Sequence, residues 1–303
     1  NLPEFKDAQA INDFVKAKVR DSYQHVKLAP MVHSWAELKM FHEWQQQAPD
    51  FRSFLPRSTE GIWSWYRLYQ KEKQNLNFFR IDQGSAPDQP SLYDWLATPK
   101  KPSQFAAVLG KPVFHSQTPI EQESFFSQRD CPVFKIEIED KDFNEAFEFL
   151  SDLGLIAAAV TAPLKISAHK FTQESPNQES FEASELGSVN TLVKSKDTWR
   201  GHNTDLFGFD HLIRQIPGFE MDPSQSGRLM VVWGGGGTLS VIQKVCPQSL
   251  LFSGRSGELR KKEEAMKQRD KFLGLALEGP EILIWAAGSD ALIPPSDWKP
   301  EFV

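Results

Sequence analysis

The chain has 303 residues, a formal net charge of −6, 40% hydrophobic residues and two cysteines. That length accommodates two or three domains with cores of their own, and the acidic balance argues against a nucleic-acid or anionic-membrane surface. Cys131 and Cys246 lie far apart without metal-ligand spacing, uncharged stretches reach only about a dozen residues, and no secretory signal opens the chain, so plain thiols, no metal, no bilayer span and a cytoplasmic location (a plastid for a plant protein) are expected.

In chain order, HVKLAP (25–30) reads as a short buried strand carrying Lys27, followed by an amphipathic helix over HSWAELKMFHEW (33–44). FRSFLPR (51–57), a strand-like NFFRID (77–82) and the turn GSAPDQPSL (84–92) follow, and the polar, Pro-rich TPKKPS (98–103) closes a first segment, residues 1–99. Desolvation drives a lysine inside an apolar strand towards its neutral form, the nucleophile that imine formation requires. A strand-edge lysine reaching solvent is the alternative.

The second segment, 104–216, alternates FAAVLG (105–110), VFKIEI (133–138), FNEAFEFLSDLG (143–154) and LIAAAV (155–160). Such alternation predicts βα units and a mainly parallel sheet. Ser116 and Thr118 follow the first strand through the turn Lys111-Pro112, and two hydroxyls so spaced can donate to one carboxylate or simply cap their loop. Thr161 and Lys165 follow LIAAAV, which Pro163 ends. Two Asn-Thr pairs, Asn190-Thr191 and Asn203-Thr204, lie close together, and Asp205 after the second reads by itself as a helix N-cap.

A linker (217–227) leads to the third segment, 225–303, where LMVVW (229–233) enters Gly234-Gly235-Gly236-Gly237, then helical SVIQKV (240–245) and the strands SLLF (249–252) and EILIWAAG (281–288). Glycines between strand and helix let backbone N–H groups approach a pyrophosphate. Arg255, Ser256 and Arg260 follow the second strand, and guanidinium groups there suit the 2′-phosphate of NADP, where an acidic residue would favour NAD. A solvated basic face is the alternative.

HSQTP (115–119), VTAPLK (160–165), the two Asn-Thr pairs with Asp205 and the glycine run, in that order, resemble the shikimate dehydrogenase family over residues 105–303. The resemblance implies that Ser116 and Thr118 hold the substrate carboxylate, that Lys165 pairs with Asp205, and that Thr161 and Asn190 complete the hydrogen bonds to ring hydroxyls. It also implies NADP(H) at Gly234–Gly237, Arg255, Ser256 and Arg260. Hydride delivery to a ring ketone builds negative charge on oxygen, which a nearby ammonium can stabilise and protonate. Gln122-Glu123 and Ala159 depart from the family's usual His-Asn and Asn.

The first segment resembles the C-terminal half of a type I 3-dehydroquinate dehydratase, a (βα)8 barrel. That resemblance implies a Schiff base on Lys27 and substrate contacts from Ser85 and Gln89. Trp65 stands where that family has its carboxylate-binding arginine, with Arg67 nearby as a substitute, and Asp88 replaces a glycine, adding negative charge close to an anionic substrate. The expected whole is an α/β chain: the C-terminal part of a barrel, a dehydrogenase substrate domain and a Rossmann-like NADP domain. It would convert 3-dehydroquinate to 3-dehydroshikimate and reduce that to shikimate. The general-base histidine and a substrate-binding glutamine would lie before Asn1 and beyond Val303, in a longer protein. Three alternatives stand beside this reading: a shikimate or quinate/shikimate dehydrogenase carrying a degenerate, structural barrel; a quinate-preferring enzyme; and a non-catalytic binding protein for such acids.

Overall fold

The computed structural model describes residues 3–19, 24–174, 178–217, 228–235, 238–260, 279–287 and 291–303. By contacts the chain divides into two units, Asn1–Gln178 with Thr191–Arg200, and Glu179–Asn190 with Gly201–Val303. No described helix is long and apolar enough to cross a membrane.

The first unit begins with α1 (Ala8–Lys18), whose N-cap Asp7 accepts the Ala10 amide. Then come β1 (Val26–Leu28), α2 (Trp35–Gln46, capped by Ser34), β2 (Arg52–Phe54), α3 (Ser64–Tyr69) and α4 (Leu92–Ala97). Ser91 and Asp94 close a reciprocal capping box on α4, satisfying two otherwise orphaned N–H groups. β1 and β2 run parallel with Lys27 opposite Ser53, so the expected strand and helix of HVKLAP and HSWAELKMFHEW are present. Among the described residues of 3–99 these two three-residue strands form a two-stranded sheet, and no barrel closes. The core is instead aromatic: Trp35, Phe41, Trp44, Phe54, Trp63, Trp65 and Tyr66 are all buried.

The same unit continues through β3 (Phe105–Gly110), α5 (Thr118–Glu121), α6 (Glu123–Ser127), β4 (Val133–Glu137), α7 (Phe143–Leu153), β5 (Leu155–Val160) and α8 (Lys165–Gln173). Next in the chain are β6 (Gln178–Glu179), α9 (Phe181–Leu186), β7 (Thr191–Ser195) and β8 (Thr198–His202); of these α9 belongs to the second unit, and the division falls within β6 and β8. The strands form one sheet in the order β4-β3-β5-β7-β8-β6. β4, β3 and β5 are parallel, as the βα alternation predicts, but β7 pairs antiparallel to β5, with Ala159 opposite Thr191. The sheet is therefore mixed, and the two residues Lys196-Asp197 that join β7 to β8 are a connection too short for a parallel crossover. α7 buries Phe143, Ala146, Phe147, Phe149 and Leu150 along one face, each large side chain contributing about 1.5–3 kcal/mol. It ends at Gly154, whose φ of +114° is left-handed and whose Cβ, if present, would sit 2.4 Å from the Ser103 carbonyl oxygen.

In the second unit, α10 (Asp205–Ile213) precedes β9 (Met230–Gly234), α11 (Leu239–Val245), β10 (Leu250–Phe252) and β11 (Ile282–Ala286). β10-β9-β11 is an all-parallel sheet with β9 central and completely buried. Continuous apolar strands of this kind need cover on both faces. Trp233, Phe252 and Trp298 pack on one side of β9, and Ile242 and Phe209 on the other.

Candidate active site

β3 and β5 both deliver functional residues at their carboxyl ends. The Thr161 amide donates to the Leu109 carbonyl and the Lys111 amide to the Ala162 carbonyl, which ties the two strand ends together. A Cβ on Gly110 would lie 2.4 Å from Thr161 Cγ2, so only glycine lets Thr161 sit against this turn. Beyond it, Lys135 Nζ donates to the Phe114 carbonyl at 2.8 Å and holds the loop that carries Ser116 and Thr118. Their hydroxyls are coupled: Ser116 Oγ donates to Thr118 Oγ1 at 3.2 Å, and the Thr118 amide donates back to Ser116 Oγ at 3.3 Å. Both are half-buried, as are Thr161 and Lys165, the last being the first residue of α8.

In the second unit the two Asn-Thr turns meet. Asn190 Nδ2 donates to Asp205 Oδ1 at 2.7 Å and to Thr204 Oγ1 at 3.0 Å, while its Oδ1 accepts the Thr204 amide at 3.0 Å. Asn203 is buried and binds Ser188 and the Asp205 amide. Asp205 heads α10 with Thr204 at the N-cap position, and it borders a cavity of about 1030 Å3 lined also by Phe209, Thr238, Val241, Ile284 and Trp285. Asn203 and Ser188 were not singled out as site residues from the sequence, although the doubled Asn-Thr pattern marks the place.

At the glycine turn, a Cβ on Gly234 would fall 2.6 Å from the Ala286 oxygen, and the Gly235 amide donates to that same oxygen at 2.7 Å. Gly236 and Gly237 lie outside the described residues. The turn after β10 is its neighbour, since a Cβ on Gly254 would lie 3.4 Å from Gly234 Cα. Ser253 Oγ accepts the amides of Arg255 and Ser256, which are exposed on this turn, whereas the exposed Arg260 lies past the turn, its amide donating to the Leu251 carbonyl at 2.7 Å. Among the described residues neither arginine forms an ion pair.

The residues expected to form the dehydratase site do not all line the cavity at Lys27. Lys27 is exposed, not buried, because β1 turns its middle residue outward, and its ammonium lies 5.3 Å from the Phe78 ring centre. Lys27 lines a cavity of about 640 Å3 with Arg57 and His33, whereas Arg67, Ser85 and Gln89 are not among its lining residues. Arg67 is buried in α3, its Nε without a partner among the described residues, and burial lowers its pKa. Ser85 and Gln89 are spent on each other, with Gln89 Oε1 accepting the Ser85 amide at 2.6 Å and its hydroxyl at 3.2 Å. Asp88 is completely buried and faces no open site. Its carboxylate accepts the Ser58 amide, the Ser58 hydroxyl at 2.8 Å and the Trp63 amide at 2.8 Å, so it organises the loop 58–63.

A mixed α/β sheet with hydroxyls and a lysine at its strand ends, and a parallel three-stranded sheet with a glycine turn, define an α/β protein. Residues 108–192 match the family model of the shikimate dehydrogenase substrate binding domain. The shikimate dehydrogenase (NADP(+)) of Syntrophobacter fumaroxidans is 27% identical over 140 residues, 46% of each chain, and that of Bacillus mycoides is 28% identical over 140 residues, 46% of this chain and 48% of the other. The chain thus spans about half the length of the curated relatives it matches. Among solved structures, the shikimate dehydrogenase of Aquifex aeolicus superposes with a TM-score of 0.48 at 21% identity, over 65% of this chain and 77% of that one.

Proposed function

We propose that this chain is an NADP-dependent dehydrogenase acting on shikimate, carrying a first segment that is structural. The observation that carries the reading is the family match over residues 108–192, the range in which Ser116, Thr118, Thr161, Lys165 and Asn190 lie. Ser116 and Thr118 donate to the substrate carboxylate, and Thr161 and Asn190 serve the ring hydroxyls. The Lys165 ammonium stabilises and protonates the oxygen on which charge grows, and Asp205 binds a ring hydroxyl and keeps the lysine oriented. The residues of the second unit fit a dinucleotide: the Gly234 turn leaves no room for a side chain, and the exposed Arg255 stands on the adjoining turn, with the exposed Arg260 farther along the chain. NADPH would supply the hydride. The NADP preference rests on Arg255 and Arg260 and on the NADP(+) specificity named for the relatives.

Shikimate-dependent reduction of NADP, with NAD in parallel, tests this on the full chain and on Lys165→Ala. Turnover with NADP that falls by orders of magnitude in the variant, mainly in kcat, is expected. A folded protein without turnover overturns the reading.

The structural role of the first segment follows from the dispersal of Lys27, Arg67, Ser85 and Gln89 and from the internal use of Asp88. Borohydride treatment in the presence of 3-dehydroquinate should leave Lys27 unmodified. A trapped adduct on Lys27 would instead establish the dehydratase reading.

A further inference from the structure

Asn203 belongs to the second Asn-Thr pair, yet every hydrogen-bonding group of its amide is used inside the protein. Both Nδ2 hydrogens go to Ser188, one to the carbonyl at 2.9 Å and one to the hydroxyl at 2.9 Å. Its Oδ1 accepts the Asp205 amide at 3.1 Å. The residue is 2% exposed and Ser188 is 5% exposed, so neither offers a polar atom to a ligand. Asn190, two residues beyond Ser188, grips the other end of the same element by donating to the Asp205 carboxylate and accepting the Thr204 amide. The two turns are therefore braced twice, once through the backbone of Asp205 and once through its side chain. Buried amides so fully satisfied hold one geometry, because releasing either end strands a donor or acceptor away from water.

We infer that Asn203, through Ser188, is the positioning residue that fixes Asp205, and that the two Asn-Thr turns form one preorganised unit around that carboxylate. The inference rests on the dehydrogenase reading for its functional meaning. Asn203 itself touches no substrate; its contribution passes entirely through Asp205. A carboxylate that must meet a hydroxyl and a lysine at once loses much of its effect when displaced by an ångström.

The test is a double-mutant cycle on the full chain, read as shikimate-dependent NADP reduction. Asn203→Ala should lower kcat about tenfold or more and leave the KM for NADP unchanged, and in an Asp205→Asn background the same substitution should have almost no further effect. An equal loss in both backgrounds, or no loss, overturns the inference. Should Asn203→Ala not fold, Ser188→Ala, which removes only one acceptor, enters the same cycle with a smaller expected drop of about threefold. If the wild-type chain turns over no shikimate, the dehydrogenase reading fails by itself. Hydrogen exchange at the Asp205 amide then decides the brace separately: about tenfold faster exchange in the variant, with β9 amides unchanged, supports it, and unchanged exchange overturns it.

Discussion

Trp65 packs against Phe105, the ring centroids 6.2 Å apart and inclined by 31°. Phe105 opens β3 of the mixed sheet, and Trp65 also contacts Phe134 of β4 at 6.4 Å and Trp35 of α2 at 6.1 Å. The residue standing where the dehydratase resemblance places a substrate-binding arginine is thus a packing residue of the seam between α2–α3 and the sheet. Trp65→Ala removes a side chain that is 3% exposed and leaves a cavity among rings, so a loss of about 3–5 kcal/mol is expected in chemical denaturation. Trp65→Phe, which keeps the ring contacts, should lose markedly less.

Asp88 gives the second expectation. Its carboxylate takes three donors from Ser58 and Trp63 in a wholly buried setting. Asp88→Ala strands those donors, at about 1–3 kcal/mol each before any relaxation. Asp88→Gly, the residue that the resemblance leads one to expect, should be as costly as alanine. A thermal melt of the three proteins checks this, and equal stability of all three would show that the loop 58–63 does not depend on Asp88.

Much of this was legible in the sequence, and the exceptions have physical causes. The apolar runs FAAVLG, LIAAAV and LMVVW gave their strands directly, because a buried parallel strand reads as an unbroken hydrophobic stretch. The antiparallel β7 was not anticipated, since TLVKS carries no such run and its direction against β5 is set by the long connection through α8 and α9. Lys27 illustrates the opposite limit: a three-residue strand has too little periodicity to tell which face each residue takes. For Asp88 the charge was assigned to a ligand, whereas its donors lie 25 and 30 residues away in sequence. The doubled Asn-Thr pattern marked the Asp205 neighbourhood, whereas the braces from Ser188 and Asn203 became visible only with coordinates.

The same aromatic seam makes stability depend on pH. His42 Nδ1 hydrogen-bonds Tyr66 Oη at 2.8 Å, and burial, aided by the charge of Lys73, lowers its pKa from 6.5 to about 4. Burial lowers Lys73 from 10.5 to about 7, although the Tyr69 ring face 3.2 Å from Nζ recovers part of the charged form. For both groups the unfolded chain binds more protons than the fold, so stability rises with pH between about 4 and 6.5 for His42 and between about 7 and 10.5 for Lys73. Lys73→Met should therefore raise the Tm near pH 6–7, and the gain should shrink as pH approaches 10.5, where the wild-type penalty has vanished. A gain independent of pH would mean that packing, not charge, is what the substitution changes.

Ser116 and Thr118 are expected to contribute unequally to substrate binding. Ser116 Oγ already donates to Thr118 Oγ1, which leaves the Thr118 hydroxyl hydrogen to point outward. A carboxylate arriving at this loop meets Thr118 directly, and Ser116 must rotate away from its neighbour to donate as well. Hydrogen bonds to a charged group contribute about 1.5–3 kcal/mol, so Thr118→Val should raise the KM for shikimate about tenfold or more with kcat little changed. Ser116→Ala should raise it less, because the bond it forms to ligand is offset by the one it gives up to Thr118. Steady-state kinetics with shikimate as the varied substrate separates the two, and a larger effect at Ser116 would mean that this mutual hydrogen bond does not set the order in which the hydroxyls engage the carboxylate.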